Sequence, residues 1–157
     1  MPQIWQIASI VAVSVDNNPI GAFALADSLK EDSLQAIQRL HQHNIDVVIM
    51  SGDQQSVVDY VAQQVGVKTA RGNCSPRDKA VYVETLRQQG KVVAMVGDGV
   101  NDAPALAMAN VSFAMKSGSD VAEQTASATL MQHSVNQLVD GLMISRATLK
   151  NIKQNLF

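Results

Sequence analysis

The chain has 157 residues, 46% of them apolar and 17% charged, and its 12 Lys plus Arg against 14 Asp plus Glu give a formal net charge of -2. That length fits one domain, the aliphatic content is enough for a packed core and excludes a disordered chain, and the charge balance excludes a dedicated nucleic-acid binder. The single cysteine, Cys74, excludes an internal disulfide and a multi-thiolate metal site and fits a reducing compartment. No apolar run approaches the roughly 20 residues that a bilayer needs, and residues 1–15 lack the basic start and long apolar stretch of a signal peptide, so the expectation is a cytosolic or cytosol-facing piece.

Val11 to Val15 and Ile20 to Leu25 are β-branched apolar runs separated by Asp16, Asn17, Asn18 and Pro19, a pattern that predicts a hairpin. From Asp27 onward Leu34, Ile37 and Leu40 recur at helical spacing, and Val47 to Met50 form a short buried-strand run that ends in Ser51-Gly52-Asp53. A second helix is predicted through Val57, Val58, Val61 and Val65, and a third from Pro76 to Gly90, where Lys91 leads into the apolar run Val92 to Val96. Val111 to Met115 and Thr129 to Met131 read as further short strands, with a helix starting near Asp120 between them. Strands alternating with helices in this way predict βαβ units, hence an α/β fold with a largely parallel sheet covered on both faces.

The segment from Val135 to Leu156 places Val135, Leu138, Leu142, Leu149, Ile152 and Leu156 along one stripe and gathers Arg146, Lys150 and Lys153 towards its end. A surface helix packed on the domain and a stalk or membrane-surface helix share this periodicity, so both readings stand.

In an open parallel sheet ligands bind at the carboxyl ends of the strands, where loops and helix N-termini present free N–H groups. Two strand ends here carry compact polar clusters: Ser51-Gly52-Asp53, and Gly97-Asp98-Gly99-Val100-Asn101-Asp102-Ala103-Pro104. Asp98 and Asp102 can offer oxygens to one hard cation such as Mg2+, the glycines let backbone approach a phosphate, the Ser51 hydroxyl can donate to a phosphate oxygen, and Lys79 can supply a point charge. Each has a plainer alternative: Gly-Asp-Gly as a turn, Asp53 and Asp102 as helix N-caps, Lys79 as a solvated side chain. What favours a site is the order and strand-end placement of all three signals together. His41, His43 and His133 lack partners at ligand spacing and are expected to face solvent, and Cys74 reads as a loop residue without an activating histidine.

Met-Val-Gly-Asp-Gly-Val-Asn-Asp-Ala-Pro-Ala-Leu-Ala, from Met95 to Ala107, resembles the signature of the phosphorylation domain of P-type cation-transporting ATPases, within the haloacid dehalogenase superfamily. The resemblance continues in Ala26-Asp27 with Lys30, similar to the hinge returning from a nucleotide-binding domain. It continues too in Met50 to Asp53, similar to a Thr-Gly-Asp segment, and in Pro76, Asp78 and Lys79, similar to a Pro-x-Asp-Lys element. Residues 134–157 resemble a cytosolic stalk, and together with Ala114 to Ala126 they are most similar to the copper and heavy-metal branch.

The resemblance implies a Rossmann-like parallel sheet, with residues 1–26 as the end of a nucleotide-binding domain, 27–133 as the phosphorylation domain and 134–157 as the stalk. It implies that Ser51, Gly52, Lys79 and Asn101 bind the phosphoryl group, with Ser51 and Lys79 acting on it, that Asp98 and Asp102 hold or orient Mg2+, and that Asp27 is the hinge, with Asp53 a further functional or structural residue. For the parent protein it implies ATP as cofactor, Cu+ as the exported ion, and as partners the nucleotide-binding domain and transmembrane helices of a membrane ATPase, with these residues on its cytoplasmic face. Ser51 stands where threonine is usual, Ser28 where proline is usual, and Val111-Ser112-Phe113 for a Val-Gly-aliphatic run.

Asp-Lys-Thr-Gly-Thr, whose aspartate accepts the phosphoryl group in that family, does not occur in the chain. The resemblance therefore implies a piece of a larger transporter that is inactive alone; a stand-alone Mg2+ and phosphate-binding or partner-docking module is the alternative, and a small phosphatase of the same superfamily would need the same missing aspartate. Its strand lies at the centre of the family's sheet, and losing several buried aliphatic side chains at roughly 1.5–3 kcal/mol each rivals a domain's whole stability of about 5–15 kcal/mol. Two strand edges would be left open, and marginal stability is expected unless the Ile7 to Val15 strand fills the vacancy.

Overall fold

The computed structural model describes residues 9–14, 31–97, 100–115, 126, 128–130 and 135–156. In chain order the elements are β1 (Ser9–Ser14), α1 (Glu31–Gln42), β2 (Ile45–Met50), α2 (Gln55–Val65), β3 (Thr69–Arg71), α3 (Pro76–Gln88), β4 (Val93–Gly97), a 3-10 turn (Val100–Asp102), α4 (Ala103–Met108), β5 (Val111–Met115), β6 (Ala128–Leu130) and α5 (Val135–Leu156).

The strands form one sheet in the order β3-β2-β1-β4-β5-β6. β2 with β3, β4 with β5 and β5 with β6 are parallel pairs. Stepping outward from β2 to β3 and back across the sheet from β3 to β4 requires crossovers on opposite faces, because such connections are right-handed. The helix contacts agree: α1 packs with α2 and α5, and α3 packs with α4.

β1 is the exception in direction. It runs antiparallel between β2 and β4, with Ala12 opposite Val47 on one side and Ala94 on the other. The central position is thus taken by the first strand of the expected hairpin, and β2 and β4 are each paired on both sides. The second half of that hairpin, Asp27 with the hinge, the helix expected near Asp120 and His133 lie outside the described residues. Because β1 is reversed, its amino end, Ser9, pairs with Gly97 at the carboxyl end of β4.

The core is aliphatic. Ile37, Leu40, Ile45, Ile49, Met50, Met95, Leu106 and Leu138 are its largest fully buried side chains. Leu34, expected on the buried stripe of α1, is instead 41% exposed, and Ser33, Ala36, Ile37 and Leu40 form the buried face. Ile37 and Leu40 are buried as expected, and α1 also packs against α5, where Arg39 Nη1 donates to Asn136 Oδ1 at 3.2 Å and Arg39 Nη2 to Asp140 Oδ1 at 2.7 Å. The amino-terminal half of α5 is therefore packed on the domain, with Leu138, Val139 and Leu142 buried. Among the described residues no helix is long and apolar enough to cross a membrane. The expected third helix ends as predicted, with Gly90 at a φ of 81° that disfavours any side chain.

Candidate phosphate site

Ser51 follows the last residue of β2 and is fully buried. Its Oγ donates to Asp53 Oδ2 at 2.8 Å, and the Asp53 N–H donates back to Ser51 Oγ at 3.1 Å. Asp53 is therefore not the N-cap of α2; Gln54 holds that position and makes no side-chain cap bond. The strand end is held by its neighbour, since the Ser51 N–H donates to the Arg71 carbonyl and the Cys74 N–H to the Ser51 carbonyl, both at 2.9 Å.

Lys79 is aimed inward by the helix start before it. Ser75 caps α3 through a capping box: the Asp78 N–H donates to Ser75 Oγ at 3.1 Å, and the Ser75 N–H donates to Asp78 Oδ2 at 2.8 Å. Those bonds from the Ser75 side chain and backbone hold the Asp78 carboxyl below its usual range. With Pro76 at the first turn and Asp78 turned to the cap, the next residue faces the core, and Lys79 is 3% exposed. Its Nζ donates to Asp102 Oδ1 at 3.0 Å.

Asp102 closes the 3-10 turn ahead of α4 and is buried. It stands at the N-cap position of α4 without a side-chain cap bond, so the N-cap reading of its carboxylate does not hold. Gly97 makes room for it: a Cβ on Gly97 would lie 2.5 Å from Asp102 Cβ and 2.8 Å from its Oδ2. The space that the missing Gly97 side chain leaves is thus filled by a carboxylate and not by an approaching phosphate.

Cys74 joins the two halves of the site. Its amide bonds to Ser51, and its thiol feels the positive charge of Lys79. Burial pushes the thiol pKa up, partly offset by Lys79 and opposed in turn by Asp78. Lys79 and Asp102 thus pair where α3 meets the turn after β4, and Ser51 is tied through the Cys74 amide to the loop that leads into α3. Gly52 and Asn101 are exposed near the same strand ends, and Asp98 lies outside the described residues. His41 and His43 are exposed.

No group of three His, Cys, Asp or Glu suited to a metal occurs among the described residues. Mg2+ does not require one, since it binds through one or two carboxylates together with phosphate and water. The donor chemistry fits Mg2+ to the extent that Asp102 supplies a hard oxygen, while its Oδ1 is already engaged by Lys79. A buried hydroxyl and a buried ammonium on neighbouring elements are what a phosphoryl group needs, a donor for one oxygen and a countercharge for the rest.

Residues 3–110 match the family model described as haloacid dehalogenase-like hydrolase. A probable cation-transporting ATPase of Haemophilus influenzae is 75% identical over 157 residues, which is 100% of this chain and 22% of that protein. A copper-exporting P-type ATPase of Vibrio cholerae is 44% identical over 147 residues, covering 94% of this chain and 16% of that protein. Among solved structures, a zinc-transporting PIB-type ATPase in its E2.Pi state superposes with a TM-score of 0.78 at 39% identity, over 85% of this chain and 22% of that one. The chain spans about a fifth of the length of the curated relatives it matches. With its α/β sheet, its strand-end cluster and these matches, the chain belongs to the haloacid dehalogenase-like hydrolase family and is similar, over nearly its whole length, to copper and heavy-metal P-type ATPases.

Proposed function

We propose that this chain is the phosphoryl-handling part of an ATP-driven exporter of Cu+ or another heavy metal, working at the cytoplasmic face of a membrane. The observation that carries the reading is the burial of two donors, the Ser51 hydroxyl at the carboxyl end of β2 and the Lys79 ammonium paired with Asp102 after β4. On phosphate binding the single Ser51 hydroxyl proton turns from Asp53 Oδ2 to a phosphoryl oxygen, while the Asp53 N–H keeps its bond to Ser51 Oγ and Gly52 and Asn101 stand at the rim. Lys79 neutralises the group's charge. Asp102 fixes the Lys79 ammonium and, with Asp98, orients Mg2+, which when bound would screen the phosphoryl oxygens. Since one Asp102 oxygen is paired with Lys79, direct ligation falls chiefly to Asp98.

ATP and the phosphate-accepting aspartate belong to parts of the parent outside these residues, as do the nucleotide-binding domain, the transmembrane helices and the metal path. The chain alone therefore binds and does not hydrolyse. Thermal unfolding with inorganic phosphate and Mg2+ tests this: stabilisation of the native chain and none of the Lys79→Met variant supports the reading, and equal stabilisation of both overturns it. Release of phosphate from para-nitrophenyl phosphate by this chain, abolished by Asp98→Ala, would overturn the inactivity.

The alternative reading, a self-standing non-catalytic module that binds Mg2+ and phosphate or docks on a partner, draws support from β1, which completes the sheet from within the chain.

A further inference from the structure

The segment after β2 and the segment after β3 are laced together beyond what Ser51 requires. The Asn73 N–H donates to the Asp53 carbonyl at 2.6 Å, and Asn73 adopts a φ of 53° to reach it. Gly72 lies against the start of α2 so closely that a Cβ there would be 2.6 Å from both Gln55 Cα and Gln55 N. At that contact the Gln55 side chain makes two bonds to β3 and its extension: Nε2 donates to the Ala70 carbonyl at 3.2 Å, and Oε1 accepts the Gly72 N–H at 2.7 Å.

The pattern has a backbone counterpart. β3 is the edge of the sheet, and the residue that faces inward, Arg71, accepts from the Ser51 N–H. Ala70 and Gly72, one residue to either side, turn their backbone groups outward. In a parallel ladder a neighbouring residue donates to the carbonyl before a given residue and accepts from the N–H after it. The Gln55 carboxamide, which carries one acceptor and two donor hydrogens, makes that pair of bonds, and its remaining N–H reaches Asp59 Oδ1 at 2.7 Å.

We infer that Gln55 is a positioning residue for the phosphate site: its carboxamide serves as a one-residue surrogate strand that closes the outer edge of β3 and so fixes the Ser51–Asp53 turn against Gly72–Cys74. It touches no reacting atom and acts through Ser51. Among the described residues no other strand covers that edge, and bare strand edges invite pairing with another chain. The consequence for phosphate binding rests on the function proposed above; the edge closure does not.

The test uses this chain with Gln55→Ala and Gln55→Glu, read by amide hydrogen exchange expressed as protection factors. Gln55→Ala is expected to lower protection at Gly72 and Asn73 about tenfold or more while Ile49 and Val96, in the strand interiors, are unchanged. A glutamate accepts from the Gly72 N–H in either protonation state but donates to the Ala70 carbonyl only when protonated, so at neutral pH Gln55→Glu should protect Gly72 less than the native chain and more than Gln55→Ala. Its Gly72 protection should rise as pH falls and the donor bond returns, with no such rise in Gln55→Ala. The charged groups about this position are Asp53 and Asp59 on its own segment and Arg71, Arg77, Asp78 and Lys91 around the adjoining cleft. Unchanged Gly72 protection in Gln55→Ala, or a flat pH response in Gln55→Glu, overturns the inference. In parallel, inorganic phosphate with Mg2+ should bind Gln55→Ala about tenfold more weakly than the native chain. Equal phosphate affinity in both overturns the positioning role, and failure of the native chain to bind phosphate overturns the proposed function while leaving the exchange result to decide the edge closure.

Discussion

Lys79 and Asp102 form an ion pair of 3.0 Å with only 4% and 2% of their side chains exposed. Taking two charges out of water costs several kcal/mol per ion, and the mutual attraction offsets that only while both partners are present. Removing one leaves a buried charge, so Lys79→Met and Asp102→Leu should each lose about 3–5 kcal/mol of unfolding free energy. The double variant should lose clearly less than the sum. A double-mutant cycle by urea unfolding checks this, and additive losses would show that the pair is not coupled.

Gly97→Ala strikes the same pair from behind. The new methyl would fall 2.5 Å from Asp102 Cβ. Since Gly97 ends a buried central strand, backbone movement is limited, and the expected cost is about 1–3 kcal/mol with loss of phosphate binding. Chemical denaturation and a phosphate titration of the same sample provide the check.

Cys74 reports the Lys79 charge. Burial pushes its thiol pKa up and Lys79 pulls it part of the way back. Alkylation by iodoacetamide should therefore be slow at neutral pH and accelerate with rising pH, and in Lys79→Met the acceleration should come at higher pH still. An unmoved profile would place Lys79 away from the thiol.

Stability should also depend on Asp78. Its carboxyl is held below the usual range in the folded chain by Ser75, so the capping box contributes stability above the unfolded-state pKa and loses it as pH falls through the folded value. Ser75→Ala should lower stability at neutral pH, and the difference from the native chain should shrink in acid. Unfolding curves across pH 2 to 7, a window of roughly this width given ordinary Asp behaviour, test the sign.

β1 offers a test of the fold. Ala12 pairs with Val47 on one side and Ala94 on the other. Proline there removes a ladder donor from a central strand, so Ala12→Pro should abolish cooperative unfolding, whereas an edge strand would tolerate it.

Much of this arrangement was legible in the amino-acid order. The apolar runs Val47 to Met50 and Val92 to Val96 gave β2 and the core of β4, and Pro76 with Gly90 bracketed α3, because those signals are local. β3 leaves no mark in the sequence, since three residues, Thr69–Arg71, carry no period. Alternation in Val11 to Val15 announces a strand but not its neighbours, and the place of β1 between β2 and β4 is decided by the open edges it satisfies. Lys79 alone reads as a solvated cation, because nothing local marks its pairing with an aspartate 23 residues away. Gln55 likewise carries no signal beyond following Ser-Gly-Asp; its role depends on an edge that only the assembled sheet creates.

The proposed grip of Ser51 and Lys79 on one phosphoryl group is checked by amide and side-chain NMR during titration with inorganic phosphate and Mg2+. Saturable shifts centred on Ser51, Gly52 and Lys79, lost in Ser51→Ala and Lys79→Met, are the predicted result. Shifts elsewhere on the surface, or the same binding curve in all three proteins, would contradict it.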